Sequence, residues 1–320
     1  MEASELELFR RSIQQATSSR DGAELDAALD ELGWLDAVAV DRGTAVSVLF
    51  ERQGEANNTS AALDQLLAIT MNVKVPLDQI AVILPFVGQM AAPGGNSETR
   101  ITVRGIGTGA LGRRDLAVVC LADGASHRAV SIDMANLSRC RIGGLDPAFG
   151  LHEVCGEFDA SDATDLGPVD WTDVVAIGQL AIGHELVGTS RTMLELARSH
   201  ALTREQFGRP IASFQAIRHR LAEGLVAVEA AAALLTAAWE EPTPGVAAMA
   251  KGMAGRSTRT VARHAQQVLA GIGFTTEHPL HLSVRRSLVL DQLFGTSASL
   301  TRSLGTSVVK NQILPAAFPL

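Results

Sequence analysis

The sequence predicts an α+β protein with short N-terminal helices, a small β domain and a C-terminal four-helix bundle. Three observations carry this. Helical periodicity occupies both ends of the chain. The middle changes to short apolar runs cut by glycine and polar turns. The order is therefore helices, strands, helices, and not the alternation of a doubly wound sheet. The expected boundaries are 1–72, 73–165 and 166–320.

In the first part, Ser4 and Glu7 have capping-box spacing. Leu25, Ala28, Leu29 and Leu32 recur at helical intervals, as do Leu63, Leu66 and Leu67. In the second, Ile80–Leu84, Leu116–Leu121 and Ala129–Ile132 read as strands, and Arg100–Arg104 alternates polar with apolar residues. Gly94-Gly95 and Gly143-Gly144 read as turns, not as phosphate cradles. In the third, Asp170 is placed to cap a helix, with Asp173 near its positive end. Ile211, Phe214, Ile217, Leu221, Leu225 and Val228 draw one apolar stripe. Residues 245–271 are crowded with alanine and glycine, which lets neighbouring helices approach closely.

Composition excludes several classes of function. With 320 residues, 47% of them hydrophobic, the chain can bury a large core. A net charge of −8 argues against a nucleic-acid partner, which needs a basic face. No basic amphipathic segment points to a membrane surface, and no apolar run is expected to reach the roughly 20 residues that span a bilayer. The acidic start, Met1-Glu2-Ala3-Ser4-Glu5, is unlike a secretory signal. Cys120, Cys140 and Cys155 lack a C-x-x-C pair and read as thiols of a cytoplasmic protein; no metal site is expected.

The most informative stretch is Arg204-Glu205-Gln206-Phe207-Gly208-Arg209-Pro210-Ile211, followed by Phe214-Gln215. It reads as a break between two helices, with Gly208 as the left-handed residue past a helix end and Pro210 in the next first turn. A break alone does not call for an arginine, an amide and an aromatic ring in four positions. The cluster resembles the R-x-Q-F-G-x-P-I…F-Q signature of the acyl-CoA dehydrogenase family. A second stretch, Gln267-Val268-Leu269-Ala270-Gly271-Ile272-Gly273-Phe274 with Glu277 and Pro279, is similar to that family's Q-V-x-G-G-x-G-F-x-x-E-x-P segment. Ala270 stands where the first glycine of the pair is usual. Arg285-Arg286 replaces the family's R-D pair, and Gly295-Thr296 follows in register.

The resemblance implies FAD and the α,β-dehydrogenation of an acyl-CoA thioester. A carboxylate takes the α proton while the β hydrogen leaves as hydride to the flavin. It implies that Arg204 and Gln206 meet the diphosphate, Phe207, Phe214 and Gln215 lie beside the adenine or a dimer interface, and Gln267, Val268 and Gly271 lie at the adenosine end. Thr296 keeps the family threonine near the flavin. The catalytic base is missing from both family positions. Phe294 precedes the Gly-Thr pair, and the earlier location carries Gly178, flanked by Ile177 and Gln179. Asp291 and Glu185 are the nearest acids that could serve as relocated bases. Between Val75 and Thr108 only Ala92-Pro93-Gly94-Gly95-Asn96-Ser97-Glu98 stands where the family lines the flavin ring, and the front half is truncated for the family.

The segments that act on a neighbour's cofactor are thus kept, and those that act on the chain's own are lost. This pattern resembles the shortened, non-catalytic subunit of heterotetrameric acyl-CoA dehydrogenases of bacterial steroid catabolism. It implies a longer acyl-CoA dehydrogenase subunit as partner in an α2β2 assembly, acyl-CoA bound through the partner's site, and an electron-transfer flavoprotein-type acceptor. A self-sufficient dehydrogenase using Asp291 or Glu185, and a flavin-free structural subunit, are the competing readings.

Overall fold

The computed structural model describes residues 3–311 except Glu98. Met1, Glu2, Glu98 and residues 312–320 of the expected bundle lie outside the described residues. The N-terminal part is five helices: α1 (Ala3–Ser19), α2 (Ala23–Glu31), α3 (Trp34–Val40), α4 (Arg42–Ala56) and α5 (Ala62–Thr70). Their leucines behave as the periodicity predicts: Leu25, Leu29, Leu63, Leu66 and Leu67 are buried. The capping box does not form. Helix α1 already includes Ser4, and Glu7 pairs with Arg11 at 2.9 Å, because i,i+4 partners face each other on a helix.

Eight strands follow: β1 (Ile80–Val82), β2 (Gly94–Asn96), β3 (Arg100–Gly107), β4 (Leu116–Asp123), β5 (Ser126–Asp133), β6 (Ser138–Arg141), β7 (His152–Asp159) and β8 (Ala163–Pro168). They form one sheet in the order β6-β7-β3-β2-β4-β5-β8, with β1 also parallel to β4. The last strand runs to Pro168, three residues beyond the expected boundary. Alternation along β4 serves two cores. Ala117, Val119 and Leu121 fill a core within the β domain, while Val118 and Cys120 face the core shared with the helices. Gly94-Gly95 is strand, not turn. A Cβ at Gly94 would come within 3.0 Å of the Val119 side chain, so glycine is what lets β2 lie against β4.

Helix α6 (Trp171–Thr203) opens the bundle, and Asp170 caps it by accepting from the Thr172 and Asp173 amides. The small hairpin strands β9 (Glu205–Gln206) and β10 (Arg209–Pro210) lead into α7 (Gln215–Ala238), followed by α8 (Pro244–Leu269), α9 (Leu280–Leu290) and α10 (Ser297–Asn311). Helix α6 packs on α4 where Gly54 meets the backbone of Glu185, and Gly188 meets that of Glu51. The α7 stripe faces inward in part: Ile211, Ile217 and Leu221 pack against the core and Val228 is buried within it. Leu225 is 51% exposed, and the buried face is Gly224, Val228, Ala231, Leu235 and Ala238. Small residues set this face because α7 lies close against its neighbours. Leu235 occupies the space a side chain at Gly183 would need. Contrary to expectation, α7 is long and apolar enough to cross a membrane by length and composition, a property shared by helices covered by protein.

Candidate functional site

The segment 204–214 is a hairpin, not a simple helix break. Thr203 ends α6, and Gln206 pairs with Arg209 across a two-residue turn. Phe207 (φ 53°) and Gly208 (φ 75°) both take left-handed conformations, the pattern of a type I′ turn. Gly208 is therefore a hairpin glycine, and Pro210 lies in β10 and not in the first turn of α7. A two-residue loop fixes the strand twist, which the break-and-restart reading could not supply. Phe207 is 92% exposed, held edge-on to Phe214 with ring centroids 6.1 Å apart. The Arg209 guanidinium lies 4.5 Å over the other ring.

The second motif ends α8. After Leu269 the chain turns through Ala270 at φ 52°, ψ −134°, a conformation natural to glycine and strained for alanine. This explains why a glycine pair is usual here.

The two motifs, which are distant in sequence, line one open groove of about 860 Å³. Arg204, Gln206, Phe207 and Phe214 form one wall. Gln267, Val268 and Gly271 form the other, and nothing lies within 4 Å of where a side chain at Gly271 would begin. The Arg204 side chain makes no hydrogen bond or ion pair among the described residues. A free guanidinium, two amides, exposed rings and open backbone fit the adenosine-diphosphate tail of a dinucleotide. Gln215 starts α7, exposed and outside the lining, and Thr296 is not brought to the groove. Its hydroxyl instead accepts from the Ser299 amide at 3.0 Å and so caps α10.

The two base positions meet each other. A side chain at Gly178 would begin 2.7–2.9 Å from the ring of Phe294, which is 1% exposed. The ring fills the space a side chain at Gly178 would need. Around it the turn is locked. Gln179 donates to the Phe294 carbonyl at 3.1 Å. The fully buried Lys251 donates to the carbonyl oxygens of Asp291, at 2.9 Å, and Gly295. Burial pushes that ammonium down to about 8, against the pull of Asp291.

Both substitute acids face other side chains of the protein. Asp291 accepts from the Ser297 amide (3.1 Å) and hydroxyl (3.0 Å) and pairs with Arg259 at 2.9 Å. Glu185, 2% exposed, points to Arg286 at 3.6 Å. Burial pushes its carboxyl up to about 7, with Arg286 lowering it and Asp146 raising it. Arg286, 1% exposed in its side chain, bonds Asp146 at 2.6 Å and the carbonyls of Asn58 and Asn57, and stacks on Phe149. It thereby ties α9, α4 and the β6–β7 loop together. His184, beside Glu185, turns to Glu51 and Trp239. Sequence reasoning noted Arg286 only as a changed pair and missed Lys251, although a lysine among buried alanines and glycines was a signal. No metal-binding cluster occurs among the described residues.

Residues 172–309 match the model of the acyl-CoA dehydrogenase C-terminal domain. The chain is similar to acyl-CoA dehydrogenase IpdE2 of Mycobacterium tuberculosis, 36% identical over 51% of this chain and 50% of that protein. The chain thus spans about half the length of the curated relatives it matches. Over 95% of its length it superposes on 88% of a chain in the ChsE4-ChsE5 complex of M. tuberculosis, with a TM-score of 0.71 and 21% identity. Over 97% it superposes on 95% of a glutaryl-CoA dehydrogenase of Mycobacterium smegmatis solved with FADH2, with a TM-score of 0.79 and 14% identity. Residues 172–309 thus form an acyl-CoA dehydrogenase C-terminal domain, and the chain as a whole has the fold of those solved structures.

Proposed function

We propose that this chain is the non-catalytic subunit of a heteromeric acyl-CoA dehydrogenase and holds the tail of an FAD whose reactive ring lies in a longer partner subunit. The observation that carries this is the contrast between the two halves of the site. Arg204, Gln206, Phe207 and the 267–271 turn stand open to a groove, while Phe294 seals Gly178 with no carboxylate between them. Bound FAD would supply the hydride acceptor for oxidation of the acyl-CoA carbon–carbon bond. This chain's part is to pair Arg204 with the diphosphate, to set Gln206 and Gln267 beside the polar atoms of the tail, and to exclude water with Phe207. A charge-assisted pair of this kind contributes on the order of 1.5–3 kcal/mol. Similarity to a chain of the ChsE4-ChsE5 complex supports the heteromeric reading, and likeness to a structure titled the Tcur3481-Tcur3483 steroid ACAD, at a TM-score of 0.80 and 17% identity, supports a steroid-derived acyl group.

The test is purification of the chain alone and with candidate partner subunits, followed by flavin absorbance and acyl-CoA oxidation. Yellow, active protein from this chain alone would sink the proposal. In the complex, Arg204→Ala should lower flavin content without changing the melting temperature of the free chain. Unchanged flavin content removes Arg204 from the cofactor site.

A further inference from the structure

His200 stands one helical turn before Arg204 on α6 and lines the same groove. Its half-buried imidazole makes no hydrogen bond among the described residues. The charged groups that act on it are His278, ahead of α9, and Arg204, just past the end of its own helix. His281 acts on His278 in turn. From the hairpin, Glu205 and Arg209 are exposed, and Arg209 is engaged with Phe214. Of the residues lining the groove, only His200 and Arg204 carry or acquire charge, and both are cationic when charged. No carboxylate lines it to balance them.

Such a pair repels its own protonation and waits for an anion. Resting on the reading of the groove as the seat of a dinucleotide tail, we propose that His200 is a second diphosphate-binding group and that binding draws a proton onto its ring. In the free chain, burial together with the fields of His278 and Arg204 holds the imidazole below its ordinary range. A diphosphate carries two negative charges into that field and reverses its sign, so the imidazolium becomes the favoured form. By linkage, a ligand that raises proton affinity must itself bind more tightly where protons are more available. Binding then takes up part of a proton near neutral pH and weakens as pH rises.

The probe is ADP-ribose, a diphosphate diester whose phosphates do not titrate near neutrality. Its binding to the full chain is measured by calorimetry near pH 6 and near pH 8, in buffers of different ionisation heat. The wild type should bind severalfold more tightly near pH 6, with net proton uptake. His200→Asn should abolish the uptake and flatten the pH dependence while still binding near pH 8. Persistence of both in His200→Asn, or equal wild-type affinity at the two pH values, overturns the role of His200 and leaves the cofactor-tail reading standing. Absence of any wild-type binding overturns both.

Discussion

Single residues show where this chain departs from what its elements prefer. Ala270 takes a backbone conformation that costs an L-residue on the order of 1–2 kcal/mol and glycine little. Ala270→Gly should therefore stabilise the chain by about 1 kcal/mol, read as a higher denaturation midpoint in urea with an unchanged slope. A lower midpoint would show that the alanine methyl group contributes packing worth more than the strain. Glu185 gives a second, pH-dependent test. Its buried carboxyl holds a proton more tightly than the unfolded chain's carboxyl, at about 7 against 4.5. Its contribution is complete below the ordinary carboxylate range, is lost as pH rises toward about 7, and is flat beyond. The span corresponds to on the order of 3 kcal/mol. Glu185→Gln should remove that slope, so its melting temperature gains on the wild type between about pH 5 and pH 8. Asp146 remains to pair Arg286 in the variant. A gain that does not change with pH would mean that Glu185 is already ionised when folded.

At the scale of elements, the turn between α9 and α10 is a packing unit. Phe294 and Gly295 both have positive φ, Lys251 holds the carbonyls at each end, and the Phe294 ring lies on the bare backbone of Gly178. Gly178→Ala should cost about 1–3 kcal/mol by overpacking. Adding Phe294→Leu should recover part of that loss, and the double-mutant cycle measures the coupling. Additive costs would show that the two positions do not touch. Much of this was legible in the sequence: the helix–strand–helix order, Asp170 as a cap, both motifs, and the absence of an acid at 178 and 294. What escaped has physical reasons. A type I′ hairpin with phenylalanine at its first central position hides behind a helix-stop pattern, since Gly-x-Pro serves both. Gly94 looked like a turn because a strand pressed against its neighbour also needs glycine. The role of Arg286 was hidden because its partners, Asp146 and Glu185, lie 140 and 101 residues away along the chain. The inner face of α7 was legible only in part because Gly224, Ala231 and Ala238 supply much of it, and small residues do not show in an apolar stripe of large ones.

For the whole molecule, the outstanding surface is α7. Its most apolar window is only 28% buried, and Leu225 (51%) and Val226 (69%) stand in the open. An exposed apolar face of this extent marks a contact surface, because isolated soluble chains seldom leave one uncovered. Its N-terminal end, at Ile217, reaches the groove that holds Arg204, so a subunit seated on α7 would meet the same groove. We therefore expect α7 to be covered by another subunit of the assembly. Val226→Glu puts a charge at the centre of that face without touching the core, and surface changes of this kind alter stability by roughly 0.5 kcal/mol or less. The variant should melt with the wild type as a free chain. It should fail to co-purify with its partner and elute as a smaller species in size-exclusion chromatography. Loss of assembly should also remove the partner's seat for the flavin ring, so the fall in co-purified flavin absorbance should track the fall in assembled mass. Full assembly of Val226→Glu would place the interface elsewhere. Co-flotation of the wild-type chain with lipid vesicles, abolished by the same substitution, would assign the face to a membrane instead.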